Sequence, residues 1–298
     1  MDGILKRGLG LFALVLMACG ESKFNNGVVA YAGKSGISDF APELWLEGNT
    51  FKGSFSDDYK VFYFFRKLAP EVETYIPYRS IFENGKWEAP IVMEYYNKTQ
   101  SYTYQLKVPN SNTLLFMSNA RTKKDTTEIP NYNFWQIELL NDRFGEPKEL
   151  GYENLVQNYN SQPCITNRGS LFFTSDLPDW SKTLSYKMRL IGDTYSEPEL
   201  FMPVNRWRRN KDWSVYEFCM SPEENYMIIS IQDNTEDRPS VDLYISHFKR
   251  GEWTYPHKLG HDINTEETEN FPTITNDGKY LLFTRAFSQF KIVSTKEL

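Results

Sequence analysis

A short apolar motif returns at a nearly fixed interval along this chain, and this repetition restricts the possible folds more than any other feature of the sequence. Each copy consists of a polar turn followed by a run of apolar residues. The aligned apolar positions are 52, 57, 56 and 54 residues apart, and they are Phe64, Phe116, Phe173, Ile229 and Phe283. Five units of similar length indicate a repeat architecture.

The last unit, 271–285, is the most regular and indicates how every unit is built. Asp277-Gly278 supplies residues that tolerate the positive φ of a tight hairpin turn, and the apolar run 280–283 is typical of a buried strand. Between successive copies an aromatic residue precedes a proline by three positions, in the pairs Trp87/Pro90, Phe144/Pro147, Tyr195/Pro198 and Trp253/Pro256. This second segment has the pattern of two further strands, and its proline argues that the last of them lies at the sheet edge. Each unit is therefore predicted to be a four-stranded antiparallel blade of a β-propeller.

The two ends of the repeat region complement each other. Pro42 is followed seven residues later by Asn49, a spacing that also follows the prolines of the first three full units. The segment at 40–47 therefore has the pattern of a fourth strand without its other three, whereas the last unit has three strands and lacks the fourth. We predict an all-β, five-bladed β-propeller of four-stranded antiparallel blades, closed by this N-terminal strand, which completes the last blade and removes two open sheet edges.

The sequence of the last two units also carries a family resemblance. The segment 272–284 and the segment 242–260, with its Gly251-Glu252-Trp253, resemble the WD40-like (PD40) β-propeller repeat of the TolB type. The resemblance covers roughly 40–298 and departs from the family at Phe290–Ser294, where an Asp-Ile-Tyr strand is usual. It implies a propeller in an extracytoplasmic compartment, and it does not imply one chemistry.

The N-terminal residues have the pattern of a lipoprotein export signal. Lys6-Arg7 precedes a short apolar stretch, and Leu16-Met17-Ala18-Cys19 resembles a lipobox in which Cys19 takes the lipid. The alternative is an ordinary signal peptide with a chance cysteine. We predict a signal peptide over 1–18, a flexible tether over 19–37 and a propeller over 38–298, with Gly20 favouring sorting to the outer membrane, on its periplasmic side or at the cell surface.

Composition restricts the classes of partner and chemistry. A net charge of −6 and a pI near 5.3 provide no basic surface for nucleic acid. We expect a monomer that contacts the membrane only through its N-terminal lipid.

The cysteines that remain, Cys164 and Cys219, occupy equivalent positions in neighbouring units. Because equivalent strands of neighbouring units are expected to lie too far apart for a disulfide, two buried thiols are expected, with a disulfide as the alternative. The sequence predicts no metal site, no cofactor and no catalytic residue, since none of the motifs of hydrolases or phosphate-binding loops occurs.

The loops that lead from one unit into the next are predicted to surround the channel mouth. An asparagine recurs in them, and loop four adds cations and tryptophans to an otherwise acidic chain. The candidate ligand-binding residues are Asn49, Asn97, Tyr159, Asn205, Arg206, Trp207, Arg208, Arg209, Trp213 and Glu267. Aromatic faces with arginine side chains suit a glycan, an anionic polymer or a protein. Asparagines at fixed loop positions also bond their own backbone to hold turns, and the charged residues also solvate long loops.

Two functions follow from these residues. The first is a non-catalytic binding or scaffolding propeller that presents its channel-mouth loops to an envelope protein or a polysaccharide. The second is a five-bladed-propeller glycan hydrolase, which needs two carboxylates about 5–9.5 Å apart; Glu94, Asp212 and Glu267 are available in the loops, but no spacing selects them. The lack of a catalytic motif favours the binding function.

Overall fold

A computed structural model describes residues 26–33, 35–45, 50–69, 72–120, 132–140, 143–150, 159–177, 182–192, 194–237 and 239–298. These residues form five antiparallel blades around a central channel, as the repeat predicts. Helix is limited there to α1 (Met202–Trp207) and two 3-10 turns, Pro42–Leu44 and Thr295–Glu297. In this part of the chain, no helix has the length and hydropathy needed to cross a bilayer.

The strands follow one another around the ring in chain order. Blade I contains β2 (Thr50–Phe55), β3 (Val61–Ala69), β4 (Val72–Glu83), β5 (Lys86–Trp87) and β6 (Ile91–Val92). Blade II contains β7 (Tyr102–Lys107), β8 (Thr113–Ser118), β9 (Asn133–Leu140), β10 (Arg143–Phe144) and β11 (Lys148–Glu149). Blade III contains β12 (Tyr159–Ile165), β13 (Leu171–Asp176), β14 (Thr183–Met188), β15 (Leu190–Ile191), β16 (Thr194–Tyr195) and β17 (Glu199–Leu200).

Blade IV contains β18 (Trp213–Met220), β19 (Tyr226–Asp233), β20 (Val241–Lys249), β21 (Glu252–Trp253) and β22 (His257–Lys258). Blade V contains β23 (Glu269–Ile274), β24 (Tyr280–Arg285) and β25 (Gln289–Ser294), completed by β1 (Ser38–Asp39). In the first four blades the outer strand consists of two short pieces on either side of Pro90, Pro147, Pro198 or Pro256. Proline has no N–H to donate, so it interrupts the ladder at the sheet edge.

The N-terminal segment closes the ring, as predicted, but it pairs slightly earlier in the sequence than expected. Ser38 pairs with Ile292 and Asp39 with Lys291, whereas the sequence suggested 40–47. Ala41 adopts a positive φ of 46° and Pro42 begins a 3-10 turn, so the chain leaves the sheet there. Phe40 instead fills the interface between blades V and I, where it contacts Phe62 and Phe290 edge-on.

The preceding segment, 26–33, also lies against the ring. The Gly27 N–H donates to the Tyr59 carbonyl at 3.1 Å, and Val28 is buried in the same apolar cluster as Phe40. Tyr59 belongs to the turn between β2 and β3. Within the tether predicted over 19–37, the described residues 26–33 therefore pack on the face of the ring that carries these first turns, which we call the turn face.

Every innermost strand contains a β-bulge, which directs side chains into the channel. The register shifts occur at Phe51/Gly53, Thr103/Leu106, Ser161/Cys164, Val215/Phe218 and Asn270/Thr273. In blade I the bulge requires glycine after Lys52, since a Cβ on Gly53 would lie 2.1 Å from Cζ of Phe62. The opposite face of the ring, at which the innermost strands begin, is called the loop face.

Candidate functional site

A cavity of about 570 Å³, which we call the basin, opens on the loop face at the channel mouth. Its lining comes from blades I, II, III and V and is mainly aromatic. The lining residues are Phe51, Phe65, Tyr75, Thr103, Tyr104, Met117, Tyr132, Tyr159, Asn160, Ser161, Asp176 and Phe271. A concave, largely apolar cavity of this size with a few polar groups is typical of a binding site for a small molecule or part of a polymer.

The aromatic rings of the basin support one another. Phe51 stacks on Phe65 with ring centroids 5.5 Å apart and meets Phe271 edge-on at 5.2 Å. The Phe65 ring in turn lies 5.7 Å from that of Tyr104. Tyr104 and Phe271 occupy bulged positions with positive φ, 52° and 55°. The bulges therefore turn these rings toward the channel mouth and hold them in a fixed arrangement.

A buried ion pair separates the basin from the lower channel. Nζ of Lys52 lies 3.3 Å from Oε1 of Glu217, and the Tyr104 hydroxyl donates to Oε2 of Glu217 at 3.2 Å. Burial lowers the pKa of the Lys52 ammonium, but the neighbouring Glu217 carboxylate, together with Cys219 and Cys164, raises it by more. Burial raises the pKa of Glu217 despite the opposing effects of Lys52 and Tyr104. Tyr104 belongs to the basin lining and Lys52 to the lining of the cavity below, so these three side chains form the floor between the two.

Below the floor, the channel narrows to a cavity of about 40 Å³. Cys164 and Cys219 line it as buried free thiols with their sulfur atoms 3.5 Å apart, so the expectation of two buried thiols is confirmed. Hydrogen bonding to Cys219 and burial raise the pKa of the Cys164 thiol. At the turn face, Nδ2 of Asn167 donates to the Asn276 carbonyl at 2.9 Å across the channel exit.

The recurring loop asparagines hold the ends of strands. Asn205 exchanges hydrogen bonds with the backbone of Ser185, and Asn264 does the same with Leu243. Four or five positions before each asparagine, a backbone N–H donates to the carbonyl of the same strand residue: Phe201 to Ser185, Leu259 to Leu243 and, before Asn97, Met93 to Pro77. Pro77 has no N–H, and Asn97 accepts instead from the Thr99 N–H and hydroxyl in a local turn. This is the structural alternative that the sequence left open for the asparagines.

Loop four contains the short helix α1, although the sequence showed no helical pattern. Pro203 lies in its first turn, where proline is well tolerated. The helix buries Trp207, only 8% exposed, in the core between blades III and IV, so Trp207 is not available as an open aromatic platform. Arg206 is exposed on the same helix.

A second cavity, of about 460 Å³, lies beside loop four, and we call it the arginine pocket. It brings together four of the predicted residues, Asn205, Arg208, Arg209 and Trp213, and adds Lys182 and Thr183. Trp213 is half-buried, donates from Nε1 to Asp233 at 3.1 Å and lies against Tyr255 with ring centroids 5.0 Å apart. The remaining lining residues are Leu184, Leu200, Met202, Ser214 and Val215.

The structure separates the other predicted residues. Tyr159 lines the basin, whereas Asn97, Arg206 and Glu267 line neither cavity. Cys19 and Asn49 lie outside the described residues. Sequence reasoning missed most of the basin, although a signal existed, since Phe51, Tyr104 and Phe271 stand 12 or 13 residues before the aligned Phe64, Phe116 and Phe283.

The described lining residues of the two cavities do not form a recognised catalytic or metal-binding arrangement. Across the described ranges, no three His, Cys, Asp or Glu side chains are grouped so that they could hold a metal ion. Asp176 is the one carboxylate among the described basin-lining residues, and it accepts a hydrogen bond from the Thr183 hydroxyl. Glu94 pairs with Arg79 at 2.8 Å, outside the lining.

Comparison with known proteins supports the fold. No protein-family model and no curated protein matches the sequence. Among solved structures, the chain is similar to a candidate TolB from Agrobacterium tumefaciens, with a TM-score of 0.50 and 11% identity over 80% of this chain and 71% of that chain. The chain has a TolB-like propeller fold.

Other solved structures match with lower scores. A gluconolactonase from Xanthomonas campestris gives a TM-score of 0.48 at 8% identity, over 89% of this chain and 91% of that chain. A puromycin-hydrolyzing peptidase from Mycobacterium tuberculosis gives 0.44 at 8% identity, over 78% of this chain and only 34% of the peptidase. At these identities the likeness concerns the fold alone.

Proposed function

We propose that this protein is a non-catalytic binding propeller of the bacterial cell envelope. In this proposal it is a monomeric outer-membrane lipoprotein, attached through Cys19 and facing the periplasm or the cell surface. It holds a polysaccharide or an envelope protein at the channel mouth. The observation that carries the proposal is the basin, a preformed cavity of about 570 Å³ lined by mutually packed aromatic rings.

The basin suits binding because its rings are already ordered. Rings that are packed against one another lose little conformational freedom when a ligand arrives, so less of the interaction energy is spent on ordering them. Apart from Thr103 and the tyrosine hydroxyls, the polar groups of its lining are Asn160, Ser161 and Asp176, which lie on neighbouring strands of blade III. Few, localised polar groups orient a ligand, while the aromatic faces provide contact area.

The hydrolase alternative needs a second carboxylate that faces Asp176 at about 5–9.5 Å. Within the described lining, Asp176 has no such partner, and the Glu217 carboxylate in the floor is held in its pair with Lys52. Glu94, Asp212 and Glu267 also lie outside the lining. The observed geometry therefore provides no specific support for hydrolysis.

The test is a binding screen of the detergent-solubilised full chain against bacterial envelope polysaccharides and envelope proteins. Tyr159→Ala removes a basin ring, and we expect it to weaken binding by about tenfold or more, comparable to loss of one interface aromatic. Phe248→Ala is the matched control, because Phe248 is 45% exposed on β20 and absent from the basin lining.

Two results would contradict the proposal. A ligand whose affinity is unchanged by both Tyr159→Ala and Tyr132→Ala does not occupy the basin. Cleavage of a captured glycan by the wild-type chain, abolished by Asp176→Asn, would establish the hydrolase instead.

A further inference from the structure

The arginine pocket concentrates positive charge on a protein that is otherwise acidic. Lys182, Arg208 and Arg209 line it, and no acidic residue is present in its described lining, whereas the whole chain carries a net charge of −6. In a concave site, low-dielectric walls strengthen the field of such charges. The pocket therefore has the electrostatic character of an anion site.

Arg208 is held in place but is not neutralised. Its Nη2 donates to the Tyr216 carbonyl at 3.0 Å and its Nη1 to the Val215 carbonyl. Its Nε is buried without a hydrogen-bond partner, and none of the described carboxylates forms an ion pair with it. Burial lowers the pKa of the guanidinium to about 10, although the charge of the nearby Asp176 carboxylate acts in the opposite direction. A desolvated cation without an ion-pair partner favours an incoming anion.

The arginine pocket and the basin share a wall. Asp176, at the end of β13, lines the basin, and its register partner Thr183, at the start of β14, lines the arginine pocket. The Thr183 hydroxyl donates to the Asp176 carboxylate. Among the described residues, this strand pair contributes to both linings, so the two cavities are adjacent and one elongated ligand can place groups in both.

We propose that the arginine pocket binds the acidic group, a carboxylate or a phosphate, of a saccharide whose neutral rings occupy the basin. This inference rests on the proposed function and names its ligand class. Guanidinium groups match the geometry of both acids through parallel N–H donors. Aromatic rings in the basin provide flat apolar faces for the uncharged part of the same ligand.

The shape of the two cavities favours a saccharide over an acidic protein segment. Their volumes, about 460 and 570 Å³, lie in the range of sites that enclose small molecules. Protein partners usually bury about 800 Å² on each side over broader surfaces. Two adjacent cavities of this kind fit successive units of an oligosaccharide.

The test measures the affinity of the full chain, by calorimetry in detergent, for three probes. They are a uronic acid trisaccharide, its neutral counterpart and a phosphorylated hexose. We expect the acidic trisaccharide to bind at least about tenfold more tightly than the neutral one, and this preference to fall as salt is raised. Binding of the phosphorylated hexose distinguishes a phosphate from a carboxylate as the preferred acid.

Variants assign the preference to the pocket. Arg209→Gln and Lys182→Gln should each reduce the acidic preference by about three- to tenfold while leaving neutral affinity unchanged. Arg168→Gln is the control, because Arg168 is an exposed arginine on the opposite, turn face. Arg208→Gln is interpreted only with a matching thermal melt, since Arg208 also supports β18.

The outcomes separate this inference from the function on which it rests. Equal affinity for acidic and neutral saccharides, with both sensitive to Tyr159→Ala, would overturn the acidic specificity and leave the basin as the binding site. Acidic preference unchanged by both pocket variants would overturn the assignment to the arginine pocket. Binding of a polyglutamate peptide but of no saccharide would overturn the ligand class, and binding of none of these probes would overturn both proposals.

Discussion

Lys52 and Glu217 are 165 residues apart in the sequence, yet Nζ of one lies 3.3 Å from Oε1 of the other in the centre of the ring. They belong to blades I and IV, which are not neighbours, so this contact spans the channel. Both side chains are almost fully buried, at 2% and 1% exposure. The pair therefore fixes the channel interior and supports Tyr104 at the base of the basin.

Removing one partner of this pair should destabilise the protein strongly. We expect Lys52→Met to lower the free energy of unfolding by about 3–5 kcal/mol, because Glu217 would remain buried without its cation. The double variant Lys52→Met/Glu217→Gln removes both charges and keeps a carbonyl for the Tyr104 hydroxyl, so it should recover most of that loss. Guanidinium unfolding followed by circular dichroism measures both; a double variant as unstable as the single one would show that the charge is not the cause.

Phe40 should be essential for closing the ring. It is fully buried and contacts the rings of Phe55, Phe62, Trp87 and Phe290. Phe40→Ala is expected to cost about 3–5 kcal/mol, since it leaves a cavity between blades V and I. Phe248→Ala, at an exposed site, should change stability by less than about 0.5 kcal/mol. Similar urea midpoints for the two variants would contradict this role.

Glu224 should contribute a pH-dependent part of the contact between blades III and IV. Its carboxylate accepts from Lys187 Nζ at 2.7 Å and from the Thr166 hydroxyl at 2.8 Å. Partial burial works to raise the pKa of Glu224, but hydrogen bonds from Lys187, Ser170 and Thr166 and the charge of Lys187 together outweigh it and lower the pKa below its ordinary value. The resulting stability is present above the unfolded-state pKa of about 4.3 and is lost as the pH falls through the lower folded-state pKa.

We therefore expect Glu224→Gln to reduce the free energy of unfolding by about 1–2 kcal/mol at pH 7, and the difference from wild type to shrink as the pH falls below about 4. Urea titrations at pH 7, 5 and 3 measure this trend. Glu223→Gln is the matched control, because Glu223 is 66% exposed and lies 3.8 Å from Arg168. A Glu224→Gln difference that stays constant with pH would contradict the assignment.

The two channel thiols should be hidden from reagents in the folded protein. In a Cys19→Ser background, Cys164 and Cys219 are expected to be unreactive toward Ellman's reagent until urea is added, because both are buried. Ser35→Cys, at an exposed position, provides the positive control for labelling. Rapid labelling of the folded chain, or labelling in urea only after a reductant, would contradict two buried free thiols.

The blades and their closure could be predicted because they depend on local signals repeated at constant spacing. The aligned positions from Phe64 to Phe283 and the prolines in the outer strands fix the number of blades and their edges. The exact closing pair was displaced by two residues, because the positive φ of Ala41 and the 3-10 turn at Pro42 depend on packing of Phe40 that no local pattern reveals.

The candidate site was less predictable because its residues are dispersed. The basin draws residues from several strands of four blades, and only Phe51, Tyr104 and Phe271 among them are connected by a common position before the aligned repeat residues. Lys52 and Glu217 each stand twelve residues before Phe64 and Ile229, so opposite charges at equivalent positions were a usable signal. Trp207 lies in a helix of six residues, too short for its buried side to show as a periodic pattern.

The docking of Asn26–Gly33 on the turn face determines how the molecule is oriented if a lipid is attached at Cys19. Asn26 is only seven positions after Cys19, and even a fully extended chain of that length reaches no more than about 25 Å. The bilayer would then adjoin the side of the ring that carries the β2–β3 turn. The basin and the arginine pocket, which open on the other side, would face the aqueous compartment and remain accessible to polymers that never touch the membrane.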